Sequence, residues 1–304
     1  MARPLEAGRA GGEAADGPGT ALFAAALGAV MLFAASPIAT KLAVTAFDPT
    51  LAALLRGVIA ALAALPVVIL LRLGPPRARP QFRLLLVSGI CGFVLFPLFF
   101  AVGTHFTSAT HSALILAALP LFTGLFAALF ERRLPPRIWW LGSAVALAGE
   151  ALLVGARSSV GEASLTGDMI VLGSALFASL GYVTGGRLSA SGYSSWATTF
   201  WGVILGGVLQ APFLSWAGRG TGWEDAAWTG WASIVYLALG VSILGYVGWY
   251  WALGKGGPQR IGVLQFLQPP LGVALAVGFL AEPLTLPVAL ATVAILVGVF
   301  IARR

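Results

Sequence analysis

Few side chains in this sequence could do chemistry, which makes each of them informative. Arg56 and Glu150 each stand inside an otherwise apolar run. A charge placed in hydrocarbon costs about 2.5–3.5 kcal/mol on insertion scales, so such groups pair or line a cavity. At 1.5 Å per helical residue both lie roughly 8–10 Å from the nearest end of their runs, a depth that permits a salt bridge between them. Either the pair is a structural bridge, with Arg56 able to snorkel, or it lines a vestibule in which Glu150 titrates. Lys41 and Arg187 each close an apolar run. They read as snorkelling anchors or as gate cations that would attract a carboxylate.

Uncharged groups form a second set. Tyr246, Trp249 and Tyr250 follow an i, i+3, i+4 spacing, which places them on one helical face; they read as an interfacial belt or as an aromatic cavity wall. Gln265 and Gln268 precede Pro269-Pro270. A proline pair frees backbone carbonyls within a helix, and amide side chains beside such a break could hold a zwitterion. Tyr182 and Ser36 occupy related positions and complete the candidate wall. His111 has Ser108 one turn before it and His105 six residues before it. It reads as a proton-sensitive group at a mouth or as a solvated loop histidine. Two histidines at that spacing, with one cysteine (Cys91) in the chain and no carboxylate nearby in sequence, give no metal site.

The elements that position these residues follow from the distribution of charge. Of 304 residues, 59% are hydrophobic and only 29 are charged, 18 Lys or Arg and 11 Asp or Glu. A soluble domain carries about 25% charged residues. Arg83 and Glu131 are separated by 47 uncharged residues, and gaps of 31 and 29 follow Arg187 and Asp225. A membrane helix needs about 20 apolar residues, so each gap holds one or two spans. Cuts at charges, Pro and Gly give helices over 21–43, 49–71, 84–104, 107–130, 137–155, 168–187, 196–215, 228–253, 258–280 and 285–302. Residues 1–20 read as a disordered cytoplasmic tail, and the first apolar run exceeds the usual core of a signal peptide. Lys and Arg divide 14 to 3 between the two sets of connections, with Arg56 inside a span. The positive-inside rule then puts both termini in the cytoplasm of a multi-pass protein of a bacterial inner (plasma) membrane. The net charge of +7 forms no stripe or cluster, so the expected partners are lipid and a small molecule, with no nucleic acid.

The halves can be laid over each other, at an offset that is constant from the third helix to the end of the fourth and slightly smaller before it. At 151 residues Gly89 meets Gly240, Phe99-Phe100-Ala101 meets Tyr250-Trp251-Ala252, Gly103 meets Gly254 and Glu131 meets Glu282. At 146 Lys41-Leu42 meets Arg187-Leu188, and at 145 Gly57-Val58-Ile59 meets Gly202-Val203-Ile204. Five spans per repeat is an odd number, so the second half enters the membrane inverted. The expected fold is an all-α integral membrane protein of ten transmembrane helices in two inverted five-helix repeats, 21–155 and 168–302, joined by an external connection at 156–167. Inverted repeats are the architecture of secondary transporters, with the substrate near the midplane between the halves.

The chain resembles the ten-helix, EamA-type exporters of the drug/metabolite transporter superfamily over residues 21–302. The resemblance is carried by Ala39-Thr40-Lys41, Asp48-Pro49, Leu55-Arg56, Thr107-Ser108-Ala109, Pro120 with Glu131-Arg132, Gly167-Asp168, Gln268-Pro269 and Glu282-Pro283-Leu284-Thr285. Two features depart from the pattern: Pro120 to Glu131 is 11 residues while Pro269 to Glu282 is 13, and Glu150 follows Gly149. The resemblance implies export of small metabolites, amino acids or drugs, with aromatic amino-acid exporters as one branch. Direct use of ATP is not expected. Gly248 to Lys255 has one residue too many for a phosphate loop, and Gly256 replaces the hydroxyl residue. No cofactor is implied. A membrane-embedded enzyme would need clustered Asp or a Ser/His dyad, whereas Asp48, Asp168 and Asp225 sit apart at span ends. A channel would need a continuous polar pore.

Overall fold

A computed structural model describes residues 18–132, 136–155, 164–220, 223–256 and 261–302. Most of the N-terminal tail, most of the 156–167 connection and the basic residues Arg133, Arg157, Arg260, Arg303 and Arg304 lie outside the described residues, as do the side chains of Glu131 and Glu150. Among the described residues the helical segments group into ten helices, several of them interrupted, and there is no strand. We number them α1 (Pro18–Ala34, continuing after Ala35 as Ser36–Ala46), α2 (Pro49–Leu70), α3 (Arg79–Ile90 to Phe96–His105), α4 (Ala109–Ile115 to Leu119–Glu131) and α5 (Arg137–Gly155). The second half holds α6 (Leu165–Ala190), α7 (Ser195–Ala217), α8 (Trp228–Val235 to Tyr246–Gly256), α9 (Gly262–Leu267 and Gln268–Leu280) and α10 (Leu286–Ala302). Seven continuous stretches are long and apolar enough to cross a membrane, and two shorter apolar helices follow them. In hydrocarbon every backbone polar group must find an internal partner, which the helix provides.

Several helices begin earlier or end later than charge counting predicts. α3 starts at Arg79 rather than 84, because Pro80 suits the first helical turn and arginines at a helix end can reach the headgroups. α6 starts at Leu165 rather than 168, where the Ser164 hydroxyl accepts from the Gly167 N–H at 3.0 Å. It runs on to Ala190, and α1 runs on to Ala46. Asp48 caps α2 through the N–H groups of Thr50 (2.8 Å) and Leu51 (3.2 Å).

The two halves share their irregularities. α3 is wound as π-helix over Cys91–Leu95 and α8 over Tyr236–Gly245, and the 151-residue offset lays the first onto the end of the second. α4 narrows to a 3₁₀ turn at Leu116–Ala118 just before Pro120, and α9 does so at Gly262–Leu267 before Pro269. Both then end on a non-glycine residue in the left-handed region, Arg132 (φ 54°) and Ala281 (φ 53°). Packing obeys the same exchange. α2 lies on α7, α4 on α9 and α5 on α10; the α1–α8 contact is matched by α6–α3, and the α4–α6 contact by α9–α1.

Close approach in the centre depends on glycine. A Cβ on Gly181 of α6 would stand 2.9 Å from the Cα of Gly92 in α3, and one on Gly185 would stand 2.5 Å from the Tyr250 ring. Gly202 and Gly206 of α7 likewise receive Phe93, with 2.8 and 2.9 Å available. Without a hydrophobic effect between helices in lipid, this kind of backbone proximity supplies the association energy.

Candidate functional site

The middle of the molecule is an aromatic cluster built from both halves. Tyr246 of α8 is its hub: its ring centroid lies 5.5 Å from Phe33 of α1, 4.6 Å from Phe93 of α3, 5.7 Å from Tyr182 of α6 and 5.4 Å from Tyr250. Trp249 completes it, 6.2 Å from both Phe33 and Tyr182. Tyr246 and Trp249 are each 1% exposed and Tyr250 is fully buried, so the α8 stripe is not an interfacial belt. Belt positions are taken by Trp140, Trp216 and Trp228, all exposed.

The polar tips of this cluster differ from one another. The Tyr250 hydroxyl is 3.1 Å from the Ser88 hydroxyl and donates to the Gly181 carbonyl at 3.3 Å, which ties α3, α6 and α8 together. Among the described residues the hydroxyl of Tyr246 and the indole N–H of Trp249 are buried without a hydrogen-bond partner, as are Ser36 Oγ and Thr40 Oγ1 on α1, the Nε2 atoms of Gln265 and Gln268 on α9, Thr110 Oγ1, His111 Nε2 and Thr123 Oγ1 on α4, and Thr285 Oγ1. An unpaired buried polar atom costs about 1–3 kcal/mol. Those on α1, and on α8 and α9, which both pack against α1, are suited to receiving a polar guest. Gln265 lies in the 3₁₀ segment of α9 and Gln268 directly follows it, and α9 packs on α1 and α4.

Arg56 stands beside this cluster. It is 3% exposed, and its Nε donates to the Ser242 hydroxyl at 3.0 Å. Among the described residues no carboxylate pairs with it; the proposed partner Glu150 has its side chain outside them. A cavity about the size of one water lies against Arg56, Gly57, Ala60, Phe93, Pro97, Val203 and Ser242.

A different polar network occupies the end of the bundle opposite the chain termini. His111 is fully buried, with Nδ1 3.2 Å from each carboxylate oxygen of Asp168, itself fully buried in the first turn of α6. It is thus neither a solvated loop histidine nor remote from a carboxylate. Thr107 donates to Asp168 Oδ1 at 2.7 Å, and Lys41 Nζ donates to the Thr107 carbonyl at 3.0 Å. Glu282, from the α9–α10 turn, accepts from the N–H groups of Ala109 and Thr110 at 2.8 Å each. A carboxylate on the first turn of a helix is favoured by the helix dipole. These bonds join α1 and α4 of one half to α6 and the α9–α10 turn of the other. Arg187, the repeat mate of Lys41, lies 5.1 Å above the Phe130 ring at the terminal end. Among the described residues no three His, Cys, Asp or Glu side chains converge as a metal site would require.

The structure therefore joins Tyr182, Tyr246, Trp249 and Tyr250 in one cluster, places Ser36 one turn beyond Phe33, and sends Lys41 and His111 to the distal network. Sequence reasoning missed Phe33, Phe93 and Ser242. Ser242 carried a signal, being a hydroxyl alone in the apolar run from Leu237 to Gly245; Phe33 and Phe93 carried none that separates them from ordinary apolar residues.

Comparison with known proteins agrees with this architecture. The EamA-like transporter family matches twice, over residues 20–155 and 165–304. An uncharacterised transporter of Bacillus subtilis, YdeK, is 32% identical over 90% of this chain and 94% of its own length. A probable terminal-alkyne amino-acid exporter of Streptantibioticus cattleyicolor is 29% identical over 68% of each chain. A solved crystal structure, 18% identical, superposes with a TM-score of 0.66 over 92% of this chain and 97% of that one, which shows the fold. With the family matched once on each half of a ten-helix inverted repeat, the chain belongs to the EamA-like transporter family: it is a multi-pass membrane transporter and not an enzyme.

Proposed function

We propose that this transporter exports small metabolites, foremost amino acids with aromatic or large neutral side chains, by alternating access around the Tyr246 cluster. The observation that carries the reading is the pairing of aromatic walls from both halves with buried donors, Tyr246 OH and Trp249 Nε1, that find no partner among the described residues. Rings of this kind stack on a flat side chain, and unbonded donors favour a guest with polar atoms. The relative named as a probable terminal-alkyne amino-acid exporter supports amino acids as the substrate class. With both termini in the cytoplasm, as the Lys and Arg distribution indicates, the Asp168 network faces outward. There it holds the halves together, so release to the outside requires it to part.

The test is counterflow in proteoliposomes containing the purified chain. Labelled L-phenylalanine should enter faster when unlabelled L-phenylalanine, L-tryptophan or L-leucine is inside, because a carrier is returned across the membrane by substrate on the far side. Flux without this acceleration would indicate a channel. Inert amino acids together with accelerated exchange of cationic drugs would indicate a multidrug exporter on the same fold.

A further inference from the structure

We propose that Arg56 is the anion subsite of the transport site, with its guanidinium receiving the carboxylate of the substrate while the Tyr246 cluster receives its side chain. This rests on the substrate reading above and makes it specific. A guanidinium has five N–H donors. Here Nε is satisfied by Ser242, and among the described residues no carboxylate neutralises the charge. Leaving a buried charge without a counter-ion is among the most costly arrangements a protein tolerates, and a carboxylate bound to the remaining fork of two parallel N–H groups is the geometry that best relieves it.

Position supports the same assignment. The cavity against Arg56 and Ser242 shares Phe93 with the aromatic cluster, and Phe93 is 4.6 Å from Tyr246. Ser242 belongs to the π-wound part of α8, and π segments commonly mark functional positions in helices. Here that segment meets α2, so the Arg56–Ser242 bond spans the two halves next to where substrate would sit. A bound carboxylate would add a second bond across that junction. An arginine in this position also selects against cationic guests, which the aromatic faces alone would attract.

The test measures counterflow in proteoliposomes for matched pairs differing only in the carboxylate: L-phenylalanine against L-phenylalaninamide, and 3-phenylpropanoate against 3-phenylpropanamide. Wild type should prefer each acid, and Arg56→Gln should raise KM for the acids about 10- to 100-fold, the range for losing hydrogen bonds to a charged group, while the amides change little. Arg56→Lys keeps a cation without the fork and should fall between. If Arg56→Gln does not purify as a monodisperse species, Arg56→Lys decides by the same ratio. Preference for the acids that survives in a folded Arg56 variant overturns the subsite but leaves amino-acid export intact. A wild type that carries neither acid while exchanging a cationic drug overturns both.

Discussion

The distal network and the central cluster are both made by the two halves together, yet they differ in how far their polar atoms are paired: at the distal end the carboxylates of Asp168 and Glu282 are bonded, while His111 Nε2 and Thr110 Oγ1 find no partner among the described residues. At the distal end Asp168 meets His111 and Thr107, Thr107 meets Lys41, and Glu282 closes two free N–H groups of α4. In the centre Tyr246 and Trp249 each keep a polar atom that finds no partner among the described residues, as do Ser36 on α1 and Gln265 and Gln268 on α9. A satisfied buried network gains rigidity from low dielectric, and an unsatisfied one loses stability for the same reason. The contrast separates a structural junction from a receptive surface: bonds already made inside the protein hold helices, and donors left unmade await another molecule.

Substitutions can break this contrast from either side. The largest effect is expected from Asp168→Ala, which leaves His111 and Thr107 buried without their shared partner. Breaking a buried pair costs about 3–5 kcal/mol, so thermal unfolding in detergent should show a melting temperature lowered by roughly 10 °C; a melting point within a few degrees of wild type would remove the network from the stability argument. Next, Gly185→Ala forces a methyl to within 2.5 Å of the Tyr250 ring, and overpacking of this kind costs about 1–3 kcal/mol. Since Tyr250 anchors through Ser88 and Gly181, both stability and transport rate should fall, and a silent variant would show that α6 and α8 separate freely. Thr107→Val removes one donor from Asp168 and should cost about 1 kcal/mol, read as a lower melting temperature with KM unchanged. Tyr246→Phe deletes a buried hydroxyl that finds no partner among the described residues, so it should leave stability unchanged or raise it by up to about 1–3 kcal/mol. It should nevertheless weaken substrate affinity roughly tenfold, equivalent to about 1.4 kcal/mol.

How much of this was readable in sequence depends on the range of the interaction concerned. Helix number and the repeat were legible because hydrocarbon demands long apolar runs and charge marks their ends. The offset that pairs Gly89 with Gly240 also predicted where α3 and α8 would resemble each other. The π winding at Cys91–Leu95 and Tyr236–Gly245 was not legible, since apolar composition is indifferent to whether a carbonyl bonds four or five residues ahead. The Tyr246, Trp249 and Tyr250 stripe followed from local spacing. Its partner Phe33 lies more than two hundred residues away in sequence, and no periodic pattern encodes that contact. The same limit hid the His111–Asp168 pair, whose members are 57 positions apart. Arg56 was conspicuous as a charge within an apolar run, but its neighbour Ser242 emerges only when α2 and α8 are packed together.

The decisive measurement is a side-by-side counterflow and melting experiment on Thr107→Val and Tyr246→Phe with labelled L-phenylalanine. Thr107→Val should melt at a lower temperature and keep the wild-type KM, while Tyr246→Phe should melt at or above the wild-type temperature and show a KM raised about tenfold. The reverse assignment, or a Tyr246→Phe variant that exchanges L-phenylalanine with wild-type KM, would contradict the placement of the transport site in the central cluster.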